Sequence, residues 1–245
     1  MTAFSRYLWL QLKMDLRDKG TLLNYYLVPL LFFFVVGAVF ASINPTMKAT
    51  LSATMTIFAV TMGAVMGFPT PIVKLRESGT MRALKVNGIP NSAVLAVHAL
   101  SAFIHLLIVS VIIYVAAPIA FKSNLPDRPA IYLAVLASLL FTSISVGLLL
   151  GVASKSHSFA TMFSMIVFLP SLLLSGIMFP STMLPRALEW VGRIFPATYV
   201  LQAFYGLAYH VPTALSGGWS LAVVLGMGLA LFAVSLWKFG QRAWQ

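Results

Sequence analysis

Six long intervals without a charged side chain constrain this fold more than any motif. No Asp, Glu, Lys or Arg falls in 20–47, 49–73, 86–121, 129–154, 156–185 or 194–237. A helix that crosses a bilayer needs about 20 largely apolar residues, and each interval holds one. The spacing predicts spans near 22–42, 50–72, 93–118, 130–152, 158–178 and 218–237. The expected fold is an all-α integral membrane protein with six transmembrane helices. An N-terminal interfacial helix precedes them, and a re-entrant outer segment lies between spans five and six. All of it is expected to form one transmembrane domain over residues 1–245.

Composition supports this class. Only 9% of residues are charged, against about 25% in soluble domains. Cysteine is absent, which excludes a disulfide framework and thiolate chemistry. The net charge of +11 raises the question of nucleic acid. The basic residues sit in short clusters between apolar runs, the pattern of the positive-inside bias, so no nucleic-acid partner is expected. With the N-terminus inside, the inner segments hold Arg6, Lys13, Arg17, Lys19, Lys74, Arg76, Arg82, Lys85, Lys155, Lys238 and Arg242. The outer segments hold Lys48, Lys122, Arg128, Arg186 and Arg193, eleven against five. Both termini are therefore expected on the cytoplasmic side of a cell membrane. No cleavable signal peptide is expected, because the first apolar run is of spanning length and no small-residue cleavage pattern follows it.

Segment 4–19 alternates apolar and charged residues. Phe4, Leu8, Leu12 and Leu16 form a stripe, with Arg6, Lys13 and Arg17 off it. That pattern predicts a helix lying in the inner interface, its basic side toward lipid headgroups. Between spans two and three stands "KLRESGTMRALKVNGIP", residues 74–90. Pro69 and Pro71 are expected to disturb the end of span two. A short helix from about Thr80 to Asn87 would close at Gly88 and stop at Pro90, and Asn91 or Ser92 would cap span three. Gly63 with Gly67, and Gly147 with Gly151, have the four-residue spacing that lets helix backbones approach. After span five, Leu184, Leu188, Val191 and Phe195 form a helical stripe, and Glu189 can pair with Arg186 or Arg193. The stretch 194–211 reads either as a seventh span or as a re-entrant segment. A seventh span would place Lys238 and Arg242 outside, so the re-entrant form is expected.

Catalytic chemistry is sparse. The acidic residues are Asp15, Asp18, Glu77, Asp127 and Glu189, none inside a predicted span. His98 and His105 share a face of span three. Without a carboxylate or cysteine to complete a site, they are expected to pack through hydrogen bonds rather than to ligate a metal. No H-E-x-x-H, G-x-S-x-G or G-x-x-x-x-G-K-[ST] occurs, so neither a catalytic site nor a metal site is expected and no ATP site on this chain.

Two stretches carry a resemblance. One is "RESGTMRALKVNGIPNSAVLAVHAL" after span two. The other is "LLSGIMFPSTMLPRALEWVGRIFPATYVLQAFYGL" after span five. Together with the six-span plan, they make the chain similar to the membrane subunit of type-2 ABC exporters, a family that includes drug, antimicrobial-peptide and polysaccharide permeases. The family has an acidic residue followed by glycine-threonine and a short basic-apolar helix, matched here by Glu77, Gly79 and Thr80. The resemblance implies a coupling helix within 74–90 that docks on an ABC-type ATPase, with Arg82 and Lys85 on its surface. It implies that the partner holds ATP and Mg, that this chain binds no cofactor, and that a second permease copy, identical or not, completes the membrane unit. Segment 179–211 would close the exit, with Glu189, Phe195 and Tyr199 as outer-gate candidates. Spans two and five would face the cargo through Phe58, Met62, Met162, Phe163, Met165 and Phe168. Such a surface suits a hydrophobic or amphipathic compound exported across the plasma membrane, a prokaryotic one by the same resemblance. A polysaccharide cargo, an ATP-independent transporter or channel, and a membrane-embedded enzyme are the competing readings.

Overall fold

A computed structural model describes residues 3–43, 45–86, 88–180 and 183–242. It is helical throughout, with no strand among the described residues. Six helices are long and apolar enough to cross a membrane: Lys19–Ile43, Leu51–Glu77, Asn91–Phe121, Pro129–Ala153, His157–Leu174 and Gly217–Phe239. These are spans one to six. Ala3–Asp15 forms a separate N-terminal helix, and Asp18 then caps span one by accepting from the Thr21 amide at 2.9 Å.

Contacts define two ends of the bundle. The near end holds the N-terminal helix, the loop between spans two and three, and the turn between spans four and five. The far end joins the other loops: the Asn124 amide donates to the Ala49 carbonyl and the Arg128 amide to that of Ala208.

Span two is the axis. Of its most apolar stretch 89% is buried, against 22% in spans one and six. Small residues permit this. A Cβ on Gly147 would overlap the carbonyl oxygen of Ala64, and one on Gly151 would lie 3.2 Å from that of Pro69. Span four thus presses its glycine face onto the backbone of span two, and Gly63 admits Leu106 of span three on another side. Dispersion across such close backbones holds helices together where lipid removes the hydrophobic driving force.

The disturbance expected at Pro69 and Pro71 is present but local, and span two runs on past them to Glu77. A π-helical turn at Gly63–Gly67 widens the helix just before Pro69, with the Phe68 amide donating to the Gly63 carbonyl at 3.1 Å. The wider turn makes room for a ring that would strike the preceding turn of a regular helix. Three expectations need correction. Span five stops at Leu174, because Gly176 turns the chain at φ +90°. Pro90, not Asn91 or Ser92, precedes the first turn of span three; its carbonyl accepts from Ala93 and Val94, and Asn91 Oδ1 finds no partner among the described residues. The N-terminal helix turns Gln11 and Asp15 inward beside Leu8 and Leu12, while Phe4 and Leu16 are exposed.

Candidate functional site

The near end collects the residues that sequence singled out in 74–90. Span two finishes with Ser78 and Gly79 amides closing on the carbonyls of Lys74 and Arg76 at 2.9 and 3.2 Å. Gly79 then takes φ +70°, a left-handed angle that a side chain would disfavour. The chain enters a second helix, Thr80–Val86. The Ser78 and Thr80 hydroxyls pair at 2.7 Å across the turn. Gly88 is left-handed again at φ +80°, and the Ile89 amide reaches back to the Leu84 carbonyl at 3.0 Å. That six-to-one bond is the mark of a Schellman closure. The helix therefore has two fixed ends, and at its junction with span two Glu77, Ser78, Gly79 and Thr80 are exposed. The side chains of Arg82 and Lys85 lie outside the described residues.

Two anchors here were not read from the sequence. Arg76 donates to the carbonyls of Val152 and Ser154, where span four ends. A guanidinium suits the orphan carbonyls and negative pole of a helix C-terminus. Backbone acceptors leave no trace in a sequence, so nothing in it pointed to this pair. The second anchor is Asp15. Its carboxylate accepts from Ser101 at 2.6 Å and Gln11 at 2.8 Å, and its Oδ2 lies 3.7 Å from His105 Nε2. His105 Nδ1 meets the Tyr26 hydroxyl at 2.7 Å, and Tyr25 stacks on the ring at 5.6 Å. The N-terminal helix, span one and span three are thus pinned together. A carboxylate does reach one of the span-three histidines, His105, contrary to the sequence expectation, because it arrives from a different helix. No cluster able to hold a metal ion occurs among the described residues. Burial raises the Asp15 carboxyl, but the neighbouring His105 and the hydrogen bonds from Ser101 and Gln11 outweigh it and hold the group below its ordinary value.

The six cavity candidates divide. Phe58 and Phe168 are buried with rings 6.1 Å apart, joining spans two and five, and Phe32 of span one stacks on Phe58 at 5.1 Å. Met62 is half-buried beside them. Met162, Phe163 and Met165 instead lie on the exposed side of span five, Phe163 against Phe159.

At the far end, Arg186–Gly192 and Pro196–Ala203 form two short helices. The second continues as a π-helical turn over Phe204–Ala208. Its eight plus five residues reach about 20 Å, short of about 30 Å of hydrocarbon. Glu189 pairs with Arg193 at 2.7 Å, the i+4 partner, while Arg193 also covers the Trp190 ring at 4.5 Å. Phe195, half-buried, borders a cavity of about 20 Å³ with the hydroxyls of Thr61, Ser143 and Ser171. Tyr199 is half-buried on the following helix. This segment is keyed to span two by hydroxyls: Thr54 meets Tyr205 at 3.0 Å, and Tyr132 of span four lies 3.4 and 3.2 Å from Ser52 and Thr56. Tyr132 also packs on Phe204 at 4.7 Å. The alternation of Ser52, Thr54 and Thr56 in an otherwise apolar run was the signal that could have revealed this contact.

Comparison with known proteins agrees with the architecture. A family profile described as "ABC-2 type transporter" matches residues 2–209. The chain is 28% identical over 131 residues to "ABC transporter G family member 20" of Dictyostelium discoideum. The match covers 54% of this chain and 18% of that relative's length.

Proposed function

The chain belongs to the ABC-2 type transporter membrane family, and on that premise we propose that it is the permease subunit of an ATP-driven exporter. It is a multi-pass membrane protein, and membrane domains of this family work with an ABC ATPase. The observation that carries the reading is the near-end helix with two fixed ends, joined through Gly79 to the most enclosed span and presenting Glu77 and Thr80 to solvent. A helix so mounted passes displacement inward, where a slack loop would absorb it. ATP and Mg belong to the partner, and ATP closure pushes on the near end, which faces the cytoplasm. The eleven basic residues assigned to inner segments support that orientation. A second permease copy pairs with this one, and the N-terminal helix rides at the lipid interface.

The cargo is hydrophobic or amphipathic. The Phe32–Phe58–Phe168 contacts between spans one, two and five support this, since they part into an apolar path when span two moves. The gap bordered by Val36, Met55 and Met178 beside them is closed, as expected of a resting state. The segment with Glu189, Phe195 and Tyr199 acts as a re-entrant outer gate.

The test is co-purification with the cognate ATPase, repeated with Glu77→Lys and Arg82→Glu. The expected result is loss of the complex and of coupled ATP hydrolysis, with the six-span fold intact by circular dichroism. An unchanged complex in both variants would remove the near-end helix from the coupling path.

A further inference from the structure

A cleft of about 570 Å³ opens at the near end between the N-terminal helix, the end of span two and span three. That volume lies within the range of ligand sites. Its polar groups are mixed in sign. His98, 6% exposed, commits Nδ1 to the Val94 carbonyl at 3.0 Å. A carbonyl only accepts, so Nδ1 carries the proton and Nε2 of the neutral ring is left as an acceptor on the opposite edge. Gln11 spends its NH₂ on Asp15, which leaves Oε1 as a second acceptor. Glu77 adds a carboxylate and Lys74 an ammonium, three residues apart on one helix. Ser78 adds a hydroxyl, and the rest of the wall is apolar: Met14, Pro71 and Leu75. Met14 continues the exposed apolar side of the N-terminal helix, with Trp9, Leu10 and Leu16.

We propose that this cleft takes the headgroup of an aminophospholipid, phosphatidylethanolamine, from the adjoining leaflet. The primary ammonium has three N–H donors, and the three residues that keep a free acceptor, His98, Gln11 and Glu77, all line this cleft. Lys74 answers the phosphate. The Met14–Leu75 wall passes the acyl chains to the bilayer. Phosphatidylcholine has the same charges but no N–H to donate. Phosphatidylglycerol has the phosphate but no cation for Glu77. The mixed lining therefore selects one headgroup, whereas an all-basic patch would select anionic lipid by charge alone.

The inference does not depend on the exporter reading, and its test uses the full chain without any ATPase. Purified protein is delipidated, exposed to equal amounts of the three lipids, and examined by native mass spectrometry. Phosphatidylethanolamine should be retained about tenfold over phosphatidylcholine, the scale of one charged hydrogen bond. His98→Phe should abolish that preference at nearly constant volume. Should His98→Phe fail to fold, the exposed Lys74→Gln still serves, and it should weaken retention of phosphatidylethanolamine. Equal retention of the choline lipid, or preference for the glycerol lipid, would overturn the proposal. Displacement by soluble glycerophosphoethanolamine at equal concentration would overturn the bilayer as the source.

Discussion

Glycines decide how closely these helices approach, and neighbouring positions respond in opposite directions. Gly147 faces the Ala64 carbonyl with no room for a Cβ. Gly226, in span six, has open space around it. Gly147→Ala must part spans two and four or bend one of them, and overpacking of this kind costs about 1–3 kcal/mol. Gly226→Ala meets nothing and restricts the unfolded chain, so it should stabilise by about 0.4–1 kcal/mol. Unfolding in mixed micelles under increasing denaturant measures both, and equal shifts in one direction would refute the packing account. The pairs Gly63/Gly67 and Gly147/Gly151 were legible in the sequence because their spacing is a pattern. Gly228 was not, though a Cβ there would crowd Thr142. A glycine with no second glycine four residues away carries no such pattern.

Among elements, the spans were legible and the faces of the N-terminal helix were not. Absence of charge over the length of a bilayer is a property of one segment and can be read locally. The inward side of the first helix depends on Ser101 and His105, which are distant in sequence. Periodicity alone therefore favoured the apolar stripe over the polar face that packs. The same blindness applies to the π-helical turn before Pro69, whose cause lies in backbone geometry. The Asp15 contact makes docking of this helix pH-dependent with a definite sign. The folded carboxyl titrates below its ordinary value of 3.8. Its stabilising effect is thus complete above that value and disappears as pH falls through the folded value. Trp9 lies exposed on this helix and reports its environment. Its fluorescence should stay constant from about pH 8 to 5 and change below about pH 4. Asp15→Asn should remove the acid transition and loosen the helix at every pH. A transition of unchanged midpoint in that variant would assign it to another group.

At the scale of the whole molecule, span two links the two ends. Near its start, Ser52, Thr54 and Thr56 meet Tyr132 and Tyr205. Near its other end, Arg76 grips the carbonyls that finish span four. With its π-helical turn enclosed by spans one, three, four and five, it cannot move without shifting its neighbours. Partner binding and transmission should then be separable on adjacent residues. On the exporter reading, the exposed Glu77 would serve the partner contact, whereas Arg76, which turns toward span four, would serve transmission. Arg76→Met keeps the aliphatic stem and removes the donors. On the exporter reading, the ATPase should still co-purify with this variant and still hydrolyse ATP. Transport per ATP should drop by about tenfold, the scale of one charged hydrogen bond lost from the moving joint. Reconstituted vesicles give both rates in one preparation. Equal loss of hydrolysis and transport would place Arg76 in the partner contact. Unchanged transport would mean that span four follows span two through Gly147 and Gly151 alone, by close packing without the polar link.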